Sequence, residues 1–130
     1  MPNVRIEIRQ GRSPAEKKAL LEAVHRAKVE ALKVPDHDRK QTLCEYSADD
    51  FEIPPTKTTK YTIIEITMFA GRSLSAKRHL YEAIVRNLGQ PPIRISSDDI
   101  LIVLHEVPLE NWGVGGHPAG EVDLGFKVSV

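Results

Sequence analysis

Cysteine is almost missing from these 130 residues, for Cys44 stands alone. One thiol excludes an intrachain disulfide framework and suits a reducing cytoplasm. An excess of charge of one sign is missing too: 18 Lys and Arg balance 18 Asp and Glu, and the formal net charge is zero. A balanced chain has no general attraction for nucleic acid or for an anionic membrane surface. No apolar run approaches the length of a bilayer span. Near the start, VRIEIRQ alternates charge with apolar residues where a signal peptide would carry an apolar core. There is no zinc-ligand spacing, no Gly-rich phosphate loop ahead of a helix and no G-x-S-x-G turn, and His79, His105 and His117 share no metal-ligand spacing. No metal-ligand spacing therefore singles out a metal site. The length fits a single domain over residues 1–130 with one sizeable core.

What is present is one unit written twice. With Ile6 laid over Ile66, IEIRQGRSPAEKK lies over ITMFAGRSLSAKR without a gap. Gly11, Arg12, Ser13 and Lys17 meet Gly71, Arg72, Ser73 and Lys77. Farther on, Glu22, Ala23, Arg26 and Asp38 meet Glu82, Ala83, Arg86 and Asp98. Two copies of so long a period indicate duplication of a supersecondary unit rather than a solenoid. The units span roughly residues 2–47 and 62–107, with SADDFEIPPTKTTK as the linker and a tail at 108–130.

Each unit reads strand, helix, strand. Val4, Ile6 and Ile8 alternate with Arg5, Glu7 and Arg9, and Ile64, Ile66 and Met68 repeat the pattern. Ser13, Pro14 and Glu16 form a helix start with an N-cap, a proline at the first turn and a capping acid. The stripe Leu20, Leu21, Val24, Ala27, Ala31 and Leu32 carries the helix onward. Leu80, Tyr81, Ile84 and Leu88 do the same in the second unit, which stops at GQPP. Second strands fall near Gln41–Tyr46 and Ile100–Glu106. Right-handed crossovers then give an α+β domain in which two tandem β-α-β units form a four-stranded sheet with both helices on one face. The tail, ending EVDLGFKVSV, reads as an added strand or hairpin. The helix-free face would be bare in a monomer, which points to an oligomer.

Pro2 stands directly behind the start methionine. Removal of Met1 would leave a free secondary amine, able to act as base or acid according to its surroundings. Pro2, the strand-helix-strand unit and the second copy with A-G-R-S together resemble the tautomerase superfamily. VPDHDRKQ is similar to the V-P-x-x-D-R-x-Q stretch of its long-chain members, such as malonate semialdehyde decarboxylase. The resemblance covers nearly the whole chain. It implies a homotrimer, no cofactor, and keto–enol chemistry on a small carboxylate substrate by the amino-terminal proline. It also implies Arg72 as the guanidinium on the substrate carboxylate or enolate, with Asp38 positioning or activating water or substrate. Arg12 is the repeat counterpart of Arg72 and a second candidate for substrate binding. Trp112 is a candidate pocket wall, with a core or interface role as the alternative.

Thr62 occupies the slot of Pro2 in the second unit, so one site per chain can use a terminal amine. Phe69 and Ala70 stand where the decarboxylase and the cis-dehalogenase of the superfamily have a second arginine, which speaks against dehalogenation and typical decarboxylation. The expected activity is thus a cofactor-independent tautomerase acting on a 2-oxo or 2-hydroxy-enoic acid in the cytoplasm. The alternatives are a decarboxylase-like lyase or hydratase and a non-enzymatic interaction protein on the same fold. Lys28 is anomalous, because it falls on the apolar stripe where its repeat partner is Leu88. A snorkelling stem at the edge of the stripe is the plain expectation, and a buried amine of lowered pKa is the other.

Overall fold

In the computed structural model, which describes residues 2–130, the alternating segment Asn3–Arg9 is strand β1, with Val4, Ile6 and Ile8 fully buried. Helix α1 (Pro14–Leu32) opens on Ser13, whose hydroxyl accepts the Glu16 N–H at 3.1 Å. It closes on Lys33 in the left-handed region at φ 57°. Strand β2 (Gln41–Tyr46) completes the first unit. The second unit repeats it as β3 (Thr62–Phe69), α2 (Leu74–Leu88) and β4 (Ile100–Val107). Its N-cap is also copied: Ser73 accepts the Ala76 N–H at 3.1 Å. The turn into each helix needs a residue at positive φ, which Gly11 (124°) and Gly71 (128°) supply without a Cβ penalty.

The sheet order is β2-β1-β3-β4. Strands β1 and β2 are parallel, as are β3 and β4, while β1 and β3 run antiparallel at the centre with Arg5 opposite Glu65. Both helices cover one face. Ile64, Ile66 and Met68 meet Val24, Ala27, Leu80, Ala83 and Ile84 there in one continuous core. The opposite face is mixed. Arg5 and Glu7 approach to 3.9 Å and His105 and Glu65 to 3.6 Å, while Leu101 is 44% exposed beside them. No helix is long and apolar enough to cross a membrane among the described residues.

The C-terminal hairpin is present, but it forms early, from β5 (Gly113–Val114) and β6 (His117–Pro118). The alternating stretch after Gly120 makes no strand. Alternation provides a face but not a partner strand, and no strand of the sheet pairs with this stretch. The tail instead folds back over the end of β3. Ser73 donates its N–H to the Val130 carbonyl at 3.0 Å, and a Cβ placed on Gly71 would lie 3.4 Å from the Val128 side chain.

Lys28 corrects the snorkelling expectation. Its side chain is completely buried, and Nζ donates to the Asp38 carbonyl at 3.3 Å. Burial pushes its pKa down to about 8, against the upward pull of the Asp38 charge. The segment between α1 and β2 closes over the lysine, so the helix stripe alone did not reveal its depth.

Candidate active site

Strand register decides which residues meet. Asn3 pairs with Thr67 across β1 and β3, so Pro2, one residue earlier, lies beside the end of β3. From there the chain runs on through Phe69 and Gly71 to Arg72. On the other side of β1, Val4 pairs with Gln41 and donates its N–H to the Lys40 carbonyl at 3.0 Å. That brings the segment just before β2, with Asp38, alongside Pro2. Pro2, Arg72 and Asp38 therefore gather at one end of the sheet from three separate segments, and Pro2 is buried. Removal of Met1 lies outside the described residues.

Arg72 is 5% exposed. Its Nη1 donates to the Phe69 carbonyl at 3.1 Å, while Nε and Nη2 are buried with no hydrogen-bond partner. The guanidinium carbon lies 5.8 Å from the centre of the Phe126 ring, within cation–π range. Desolvation lowers its pKa, and the charges of Glu106 and Asp38 work in the opposite direction. A guanidinium cannot lose its proton at neutral pH. Two buried donors without acceptors are thus a standing cost that a bound oxyanion would relieve.

An aromatic wall flanks these donors. Trp112 meets Phe69 edge-on, with centroids 4.8 Å apart at 70°, and its Nε1 donates to the Val107 carbonyl at 3.2 Å. Phe69 and Phe126 lie 6.3 Å apart at 19°. Such a surface excludes water and strengthens electrostatic contacts inside it. Trp112 was a candidate in the sequence. Phe126 was missed, because the tail has neither a repeat counterpart nor a helical stripe to give it a direction.

Arg12 is not brought to this site. It sits at the opposite end of the sheet, where Nη2 donates to the Lys60 carbonyl at 2.8 Å and to Thr62 Oγ1 at 3.2 Å. The duplication relates the two ends, so Arg12 stands to Thr62 as Arg72 stands to Pro2. His25 is fully buried and meets Asp36 Oδ1 at 3.1 Å, which fits a packed structural residue. No cluster of three or more His, Cys, Asp or Glu fit to hold a metal occurs among the described residues.

The chain is similar over most of its length to known proteins. A probable tautomerase of Bacillus subtilis (strain 168), YusQ, is 26% identical over 128 residues, covering 95% of this chain and all of that one. The 2-hydroxymuconate tautomerase of Comamonas testosteroni is 34% identical over 58 residues, 45% of this chain and 90% of its own. Among solved structures, the FG41 malonate semialdehyde decarboxylase inhibited by 3-bromopropiolate superposes with a TM-score of 0.80 at 28% identity, covering 92% of this chain and 97% of that one. A fused 4-OT described as a symmetric trimer gives 0.77 at 26% identity, with 90% and 95% covered. Two family models, both described as tautomerase enzyme, match residues 38–115 and residues 2–57. With that match over more than half its length, the chain belongs to the tautomerase family.

Proposed function

We propose that this protein interconverts the enol and keto forms of a small 2-oxo acid without a cofactor, with the amino-terminal nitrogen of Pro2 as the proton carrier. The observation that carries the reading is Arg72, a buried cation with two unpartnered donors at the end of the sheet where Pro2 precedes β1.

The chemistry follows from that pairing. The substrate carboxylate and its C2 oxygen take the free Nε and Nη2 donors of Arg72, an orientation that suits the planar guanidinium. The neutral proline nitrogen removes the proton of the C2 hydroxyl. The O–H electron pair becomes the C=O π bond, and the former C=C pair takes a proton back from the proline ammonium at C3. Charge builds on the C2 oxygen during transfer, where Arg72 stabilises it more than in the ground state.

Asp38 beside Pro2 favours a second reading, in which the carboxylate orients water or substrate for decarboxylation or hydration. The match to a solved malonate semialdehyde decarboxylase supports it. Enol absorbance and released carbon dioxide, followed with phenylpyruvate enol, 2-hydroxymuconate and malonate semialdehyde, separate the two. The proline mechanism has its own test. The intact mass should lack methionine, and a chain with a verified, uncleaved N-terminal extension should be inactive. Its proline nitrogen is then a tertiary amide with no basic lone pair. Turnover of the extended chain at the rate of the trimmed one would end the reading.

A further inference from the structure

The duplication builds an arginine turn at each end of the sheet, and the proposed reaction uses only one of them. At the other end lies a cavity of about 460 Å³, lined by Arg9, Arg12 and Lys60 together with Gln10, Thr59 and Glu16. All three cations are anchored by neutral oxygens. Arg9 donates from Nε and Nη2 to the Phe51 carbonyl at 3.3 and 3.2 Å. Lys60 Nζ donates to the carbonyls of Ile93 and Arg94, each at 3.2 Å. Arg12 makes its two bonds, to Lys60 and Thr62, through Nη2 alone. A guanidinium has donors on all three nitrogens, which leaves Nε and Nη1 of Arg12 for another acceptor.

The acids nearby do not neutralise this group. Among the described residues, none of the three cations has a carboxylate within 4.0 Å. Glu16 and Asp99 act on Arg12 only at longer range, and desolvation outweighs them. Asp99 is already taken by Thr58, whose N–H and hydroxyl it accepts at 2.9 and 2.5 Å. The cavity thus presents a surplus of positive charge, with side chains fixed in place before any ligand arrives, so little ordering entropy is lost on binding.

We propose that this cavity is a second, non-catalytic oxyanion site, taking a small carboxylate or phosphate on the open Nε or Nη1 donors of Arg12. Chemistry is excluded there because Thr62, in the slot equivalent to Pro2, has only a backbone amide nitrogen within β3. The ligand is held and released unchanged. The site does not depend on Pro2 or on the tautomerase reading.

The test uses the whole protein, labelled with nitrogen-15, and follows the amide signals of Gly11 and Gly71, the neighbours of Arg12 and Arg72. Pyruvate and inorganic phosphate are titrated separately, with sodium chloride at matched ionic strength as the blank. At least one of the two anions should move Gly11 saturably in the millimolar range, and Arg12→Gln should abolish the movement. A response to pyruvate alone assigns the site to carboxylates, and a response to phosphate alone assigns it to phosphates. Arg72→Gln should leave the Gly11 response intact, which separates failure at one end of the sheet from failure at the other. If Arg12→Gln does not fold, Arg12→Lys keeps the charge but loses the planar guanidinium held by Lys60 and Thr62, with its fixed open donors, and should weaken binding about tenfold. A Gly11 signal that follows ionic strength only, or an unchanged affinity in Arg12→Lys, overturns the proposal.

Discussion

Arg72 and Lys28 are both cations held out of water, and they face opposite demands. Arg72 has unpartnered donors at the proposed site, so its removal is felt in catalysis. Arg72→Ala should lower kcat/KM for an enol acid by about 2–4 kcal/mol, roughly 30- to 1,000-fold. Arg12→Ala, at the far end of the sheet, should cost far less. Steady-state kinetics on the two variants, with folding checked by circular dichroism, decides this, and equal losses would remove Arg72 from the mechanism. Lys28 carries its cost in stability. Its pKa is about 8 in the folded chain against an ordinary 10.5, so between those values the unfolded state binds more protons and stability rises with pH. Below pH 8 the whole penalty, about 3 kcal/mol, is present. Lys28→Met removes it but leaves the Asp38 carbonyl without its donor, a loss of about 1–3 kcal/mol. The variant should therefore be neutral to modestly stabilised near neutral pH, and its advantage should shrink as the pH is raised towards 10.5. Urea melts at both ends of the range test this, and a difference independent of pH would show that Lys28 does not titrate there.

At the scale of elements, the strands and helices were legible because each carries its own signal. Val4, Ile6 and Ile8 alternate, and Ser13 and Ser73 cap helices whose stripes follow at once. The candidate site was legible through the duplication at Pro2 against Thr62, and through the family resemblance at Arg72 and at Asp38 in the stretch before β2. The end of the sheet to which each arginine belongs was not, because it follows from the antiparallel pairing of β1 with β3, a contact between distant segments. The tail was least legible. Its alternation suited a strand, but its contacts are with Phe69, Gly71 and Ser73 at the end of β3. A chain ending at Gly125 loses the Phe126 ring over Arg72 and the Val130 acceptor of Ser73. Its KM for an enol acid should rise several-fold with a smaller change in kcat. The melting temperature should fall by about 3–6 °C, since about 1 kcal/mol of contacts is removed. An unchanged KM would mean that the tail does not wall the site.

At the scale of the whole molecule, one face of the sheet carries both helices and the other carries Leu101, Ile63 and Val103 among charged pairs. We expect a homotrimer assembled through that second face and the tail, in keeping with the trimeric fused 4-OT that shares the fold. Light scattering in salt-containing buffer should return about three chain masses, and a stable monomer would sink the assembly. The antiparallel centre of the sheet has a separate consequence. Arg5 faces Glu65, and these two positions are also each other's counterparts in the duplication, so they sit on the local two-fold axis. In a dimer of identical halves, the residue on that axis must face its own copy. Joined in one chain, the halves are free to differ there, and the register sets an arginine opposite a glutamate where identical halves would place like against like. The fusion therefore does more than tether the two units: it sorts them, making each half a better neighbour for the other than for itself.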